Sequence, residues 1–302
     1  MNYALPASVT DSLRRARVLV TGSEGFLGQH FVRALHECGA DVRGLDLRTG
    51  DDVSTSTQYW HPNEWTHIIH AAGIASPALY RADPLGALDA AVNGTRNMLR
   101  QATVCRARLL LLSSSEVYGD PEVVPTPETY MGRIDPLGER SCYDESKRLA
   151  ETLCSVYAAR GVPATIVRLF NAFGPGMSPT DRRFMPNLRE SYRSGQPIKI
   201  YGAGTQTRTF CFVSDTVRGC LQALVGGKPG RAYNVGTDGP ELTMEQVARL
   251  AGVPFEHIPN PDDWPAEGEP MRRCPDISRA RAELGYQPLV PFEDGLREFL
   301  AS

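Results

Sequence analysis

Tyr143 and Lys147 stand four residues apart in "RSCYDESKRLAE", and the lysine is unusual for this chain. Of 32 Lys+Arg residues only Lys147, Lys199 and Lys228 are lysines. Eleven tyrosines and three lysines in 302 residues would meet at this spacing about 0.1 times by chance. On a helix the two side chains share one face. A free phenol ionises at about 10, and a neighbouring ammonium favours the phenolate and lowers that value. Tyr143 is therefore a candidate acid–base group for a substrate hydroxyl. Lys147 is a compact point charge that fits beside small hydroxyl groups where a planar guanidinium does not. "SSSEVYG" (113–119) supplies two further candidates. Ser114 could share the hydroxyl proton with Tyr143, and Glu116 could act as acid or base, or orient water or a substrate carboxyl.

A second constellation lies near the start of the chain. "TGSEGFLG" carries Gly22, Gly25 and Gly28 between a β-branched run, "RVLVT", and a stretch with helical apolar spacing from Gly25 to Cys38. Glycine at these places permits a tight turn, a close backbone approach to a pyrophosphate, and helix–sheet packing. Free N–H groups at the helix start suit phosphate. The segment Gly22, Ser23, Glu24, Gly25, Phe26, Leu27, Gly28 is thus expected to hold a dinucleotide. Asp46 ends the next strand, where a carboxylate accepts from ribose hydroxyls and repels a 2′-phosphate. That favours NAD; Arg48 nearby is the one residue that speaks for NADP. "HAAG" supplies Ala71, Ala72 and Gly73, small residues that let a flat cofactor lie across strand ends. Combined with Tyr143 and Lys147, the turn points to hydride transfer at a hydroxyl-bearing carbon.

These groups must be carried by alternating elements. Strands are expected at "RVLVT", "DVRGLD", "THIIHAAG", "RLLLLSSSEVYG" and "ATIVRLFN", with helices over 25–38, 84–104 and 141–160 between them. Strand–helix alternation with strands apolar on both faces means a parallel sheet covered on both sides. The fold class expected is α/β, a doubly wound Rossmann sheet with a smaller discontinuous α/β lobe. Residues 1–170, with about 209–235, would form the nucleotide domain. Residues 171–208 and 236–302 would form the lobe. After Asn171 the expected elements are a helix around 185–194, short strands at "KIYGAG", "TRTFCFVSD" and "AYNVGT", and helices over 244–251 and 292–300.

Composition sets outer bounds. The chain is 41% hydrophobic and 22% charged, with net charge −3, so nothing basic argues for nucleic acid. No apolar run reaches bilayer length, so no membrane partner is expected, and "MNYALPASVTDSLRRARVLV" lacks a signal-peptide core. Seven scattered cysteines without C-x-x-C spacing indicate neither a disulfide framework nor zinc, and no other metal site is expected. A reducing cytoplasm fits.

Longer stretches, "SSSEVYGDPEVVPTPETYMG", "ERSCYDESKRLAETLC", "RLFNAFGPGM", "IYGAGTQTRTFCFVSD" and "RRCPDISRARAELGYQPLVPFEDGL", resemble extended short-chain dehydrogenases/reductases of the NAD-dependent epimerase/dehydratase family. The likeness runs from about Arg17 to Leu300 and is narrowest with the UDP-glucuronate decarboxylases. It implies a catalytic Tyr143–Lys147 pair, with Ser114 in the family's Thr/Ser position. It implies Glu116 and Arg273 around a hexuronate carboxylate, Asp52 and Val53 beside adenine, and Tyr80 near the sugar. Asn171, Arg182, Tyr201 and Arg208 match nucleotide-diphosphate contacts, and a homodimer is the family's habit. The implied reaction oxidises C4 of a UDP-sugar, loses carbon dioxide from the 4-keto acid and re-reduces the ketone. Epimerisation at C4, dehydration or ketone reduction of another nucleotide sugar remain open at this stage, as does an NAD-binding module without catalysis. Three departures bear on the sugar and the adenine: a short connection from Asp46 to Asp52, Ile74 in place of proline, and Gly176 where arginine often follows "FGP".

Overall fold

The computed structural model describes residues 2–55, 64–259 and 270–302. Helix α1 (Ala7–Leu13) precedes an alternating run: β1 (Arg17–Thr21), α2 (Phe26–Glu37), β2 (Asp41–Leu45), β3 (His67–His70), α3 (Pro77–Ala82), α4 (Pro84–Cys105), β4 (Arg108–Ser114), α5 (Ser141–Ala158) and β5 (Ala164–Leu169). The second half holds β6 (Ala172–Phe173), α6 (Phe184–Ser194), β7 (Ile198–Tyr201), β8 (Thr207–Arg208), β9 (Cys211–Phe212), α7 (Val213–Gly226) and β10 (Ala232–Val235). It ends with β11 (Leu242–Thr243), α8 (Met244–Leu250), β12 (Phe255–Ile258), β13 (Arg272–Arg273), α9 (Ser278–Leu284) and α10 (Phe292–Ala301).

Six strands form a central sheet in the order β2-β1-β3-β4-β5-β10, all pairs parallel. The chain steps outward from β1 to β2 and then returns to the other side of β1 as β3. The crevice between the carboxyl ends of β1 and β3 is therefore the topological switch point where such sheets bind ligands. Covered faces explain the apolar strands. Val18, Leu19 and Val20 of β1 and Leu109, Leu110 and Leu111 of β4 are buried, split between cores on the two sheet faces.

The expected strand "TRTFCFVSD" divides. Only Thr207–Arg208 and Cys211–Phe212 are extended, and Val213 already starts α7, a helix that the sequence pattern hid. Every residue from Val213 to Leu224 is buried, the polar stripe Asp215, Arg218 and Gln222 included; Arg218 Nη2 donates to Asp215 Oδ1 at 2.6 Å and Gln222 Nε2 to Leu284 O at 3.1 Å. α7 leads into β10, which closes the sheet beside β5. Outside this layer, β8 joins β11 and β13, and β7 pairs with β12. Much of the acid- and proline-rich stretch after Ile258 lies outside the described residues.

Candidate active site

The glycine turn is built as its spacing requires. Gly22 sits at φ +70°, and a Cβ there would meet Ala72 N at 2.8 Å. Gly28 is tighter: its Cβ would fall 1.9 Å from Gly22 O, so only glycine lets α2 press against the turn. Gly25 is the N-cap of α2. The buried Ser23 donates its N–H to Leu45 O at 3.3 Å, while Phe26 and Leu27 anchor the helix start on the core. Asp46 closes the cradle. Its two carboxylate oxygens accept from Glu24 N and Arg48 N, each at 3.0 Å, and Arg48 Nη1 donates to Glu24 O at 2.8 Å. The carboxylate thus fixes the turn to the end of β2 with acceptor capacity left over.

Val53 is buried beneath this rim, and Asn97 of α4 donates to Val53 O and Ser54 O at 2.9 and 3.1 Å. Asp52 caps the same bend through Ser54 N at 2.8 Å. The short connection is therefore held from α4. Across the crevice, Ala71 N donates to Thr21 O, and Ala72 N to Thr21 Oγ1. The Gly73 backbone comes close to Lys147 Nζ, which a Cβ there would meet at 3.5 Å. The turn, Asp46 and the small residues after β3 fit a dinucleotide: the backbone is bare where a pyrophosphate would press closest.

α5 carries the acid–base pair. Its first two turns bring Tyr143 and Lys147 under the end of β4, and both are buried. Lys147 Nζ donates to Leu112 O at 2.9 Å and lies 5.9 Å from the Tyr143 ring centre. Ser114 Oγ accepts from Glu116 N at 3.2 Å and lies in hydrogen-bond reach of Tyr143. One expectation needs correcting. Burial pushes the Tyr143 phenol up to about 12, against the opposing hydrogen bond with Ser114, and Lys147 does not bring it down. Burial also lowers Lys147 to about 8, so its ammonium is itself weakly held.

Tyr80 of α3 is 1% exposed and stacks on Tyr143, with ring centres 5.2 Å apart and planes 9° from parallel. Ile74 packs into the same small cluster. The Tyr80 hydroxyl has no hydrogen-bond partner among the described residues, and burial raises its pKa well above the ordinary range.

Glu116 lies in the 3-10 turn Ser115–Tyr118 that follows β4. Arg273, 1% exposed, reaches it from β13: Nη2 donates to Glu116 Oε2 at 2.9 Å, and Nη1 donates to Ser115 O and Gly119 O at 2.9 and 2.8 Å. A second guanidinium, that of Arg140 at the N-cap of α5, donates to the same carboxylate oxygen. Burial would raise the Glu116 carboxyl, but Arg273 and Arg140 outweigh it and hold it below the usual range. Arg140 was not among the residues singled out from sequence. Its signal was available: it stands one helical turn before Asp144 and three residues before Tyr143.

Arg182 is exposed, and its carbonyl accepts from Asn187 Nδ2. Its neighbour Arg183 lies within electrostatic reach of Tyr143 and Glu116, and Nε donates to Asp181 at 2.9 and 3.0 Å. Both arginines are exposed, and Arg183 differs in its electrostatic reach to Tyr143 and Glu116. Asn171 adopts φ +30° and donates to Thr209 O at 3.0 Å, and Cys211 N donates to Asn171 O. Arg208 sits on β8 beside Arg273 and adds positive potential at Glu116. Tyr201 ends β7, half-buried.

Comparison with known proteins decides the family. The family model described as the NAD dependent epimerase/dehydratase family matches residues 18–236. The chain belongs to that family. Two relatives carry one name: UDP-glucuronic acid decarboxylase 1 of Xenopus tropicalis is 38% identical over 97% of this chain and 73% of its own length. UDP-glucuronic acid decarboxylase 3 of Arabidopsis thaliana is 37% identical over 93% and 86%. Among solved structures, MoeE5 in complex with UDP-glucuronic acid and NAD superimposes with a TM-score of 0.81 at 27% identity, covering 94% of this chain and 98% of that one. This family member is an α/β enzyme that uses NAD and acts on nucleotide sugars. Among the described residues no group of histidine, cysteine or acidic side chains could hold a metal, and no helix is long and apolar enough to cross a membrane.

Proposed function

We propose that this enzyme decarboxylates UDP-glucuronate to UDP-xylose. The observation that carries the reading is the Glu116 carboxylate clamped between Arg140 and Arg273 beside Tyr143. Two guanidiniums at one position give a site suited to a sugar that bears its own carboxylate, which a neutral hexose would not need. The relatives named as UDP-glucuronic acid decarboxylases support it.

Gly22–Gly28, Asp46, Asp52, Val53 and Ala71–Gly73 would hold NAD, which supplies the hydride acceptor and later the donor. Tyr143 takes the C4 hydroxyl proton, with Ser114 holding the hydroxyl in place. Lys147, with its Nζ 5.9 Å from the Tyr143 ring centre, would donate to a ribose hydroxyl of the cofactor and set a positive charge beside the site. In the resulting 4-keto acid the carboxylate is β to the ketone, so carbon dioxide leaves as its bonding electrons pass into the carbonyl. Glu116 and Arg273 orient that carboxylate, and Tyr80 closes the far side of Tyr143. Arg208, Tyr201, Asn171 and Arg183, with Arg182 at the same bend, would contact the nucleotide diphosphate, on or beside a lobe made of 171–208 and 236–302. Apolar side chains exposed on α4 and α5, among them Leu85, Leu149 and Val156, suit a homodimer face. A reducing cytoplasm suits the seven free cysteines.

The test is incubation with UDP-glucuronate and NAD. Carbon dioxide release with UDP-xylose as product is expected. Turnover only of sugars without a carboxylate, or a C4 epimer that keeps its carboxylate, overturns the reading.

A further inference from the structure

Asp144 is a buried carboxyl that the reaction just described does not use. It is 5% exposed, on the first turn of α5 directly after Tyr143. Its Oδ2 lies 3.7 Å from Arg140 Nε, and its Oδ1 has no hydrogen-bond partner among the described residues. The groups that face it are Glu116 from the turn after β4, Arg273 from β13, Tyr80 from α3, and Arg140, Cys142 and Tyr143 from its own helix or its cap. Arg140 and Arg273 both direct hydrogen bonds at Glu116, leaving Asp144 a long contact to Arg140 at 3.7 Å and the attraction of Arg273.

Two guanidiniums, Arg140 and Arg273, face both carboxyls, while Arg208 and Arg183, the latter paired with Asp181, add positive potential at Glu116 from further off. If both carboxyls are ionised the four inner groups sum to zero, and only the outer arginines draw a third carboxylate. If Asp144 is protonated the cluster carries one positive charge, which an arriving carboxylate can neutralise. Asp144 is the carboxyl with fewer hydrogen bonds and is the one that takes the proton.

We propose that Asp144 is a proton-linked positioning residue: it binds a proton when a carboxylate-bearing sugar enters beside Glu116, and so makes the site select that substrate over its neutral counterpart. Burial first, and Glu116 second, raise the Asp144 carboxyl to about 7, close to working pH. A further negative charge nearby raises it more. Binding of the carboxylate therefore takes up protons, and affinity falls as pH rises through that range. The inference rests on the decarboxylase reading for the identity of the ligand.

For a carboxyl near 7 that stays protonated in the complex, linkage gives about fivefold weaker binding at pH 8 than at pH 7, and close to one proton taken up per ligand at pH 8. The NAD-saturated enzyme should show this rise in KM for UDP-glucuronate, whereas the inhibition constant of UDP-glucose should move much less. That contrast cancels titration of Lys147, which serves both ligands. Calorimetry in two buffers of different ionisation enthalpy counts the protons directly. Tyr143→Phe holoenzyme blocks turnover, which itself consumes a proton. Asp144→Asn should abolish the difference between the two ligands and leave UDP-glucose binding within about twofold. Equal proton counts for the two ligands in the Asp144-containing protein overturn the proposal, whether or not the asparagine variant folds. So does an asparagine variant that keeps the pH-dependent contrast. Absence of carbon dioxide release would instead overturn the decarboxylase reading, an outcome visible separately from the proton count.

Discussion

Tyr143 and Lys147 lie one turn apart on the same face of α5, in a site whose burial works against the charge on both. The phenol is pushed up to about 12 and the ammonium down to about 8. Proton transfer through Tyr143 is specific to the hydroxyl, so Tyr143→Phe should lower kcat by about two to four orders of magnitude, with NAD affinity nearly unchanged. Single-turnover assays and an NAD titration measure the two effects separately. Lys147 gives a stability prediction with a definite sign. Its pKa falls on folding from 10.5 to about 8, so the unfolded chain binds more protons between those values and stability rises with pH across that window. Below pH 8 the full penalty of burying the charge applies. Without nucleotide, Lys147→Met should therefore be more stable than the parent at pH 7, with the advantage shrinking toward pH 10.5. Urea unfolding at the two pH values checks it.

At the scale of elements, the first turn of α2 and the first turn of α5 do most of the positioning. α2 can lie against the glycine turn only because Gly28 has no Cβ, which would otherwise sit 1.9 Å from Gly22 O. Gly28→Ala should cost about 1–3 kcal/mol of stability and weaken NAD by at least about tenfold, as α2 backs away from the turn. Thermal unfolding and NAD calorimetry read these out together. Local elements of this kind were visible in the sequence. β1, α2 and the start of α5 show β-branched runs, helical spacing and glycine punctuation, and these reflect short-range sterics. α7 was missed for another reason: its first residues, Val213–Asp215, continue the β-branched and aromatic run of β9 and read as strand, and its polar stripe of Asp215, Arg218 and Gln222 is buried. The two-residue strand β13 is equally hard to foresee, because it exists only through pairing with β8.

At the scale of the whole molecule, the site depends on a segment more than a hundred residues from the acid–base pair. Arg273 reaches Glu116 because β13 pairs with β8 and because Asn234 of β10 ties that segment to the sheet. Asn234 Nδ2 donates to Thr126 O and Asp276 O, each at 2.9 Å, and its Oδ1 accepts from Tyr118 at 2.8 Å. Asn234→Ala should cost about 3 kcal/mol through the buried groups left unpaired. It should raise KM for UDP-glucuronate more than for a neutral UDP-sugar inhibitor, since Arg273 loses its support. Equal effects on both ligands would show that the network serves stability alone.

The order of residues along the chain was enough to indicate the parallel sheet, the dinucleotide turn and the tyrosine–lysine pair, because each is set by contacts within a few residues or by strict periodicity. Tertiary structure decided the rest. It put two arginines on Glu116, brought Arg183 within electrostatic reach of Tyr143, stacked Tyr80 on Tyr143 and left Asp144 buried without full hydrogen bonding. Charge interactions of this kind depend on distance and burial across elements far apart in sequence, and neither quantity leaves a local pattern to read.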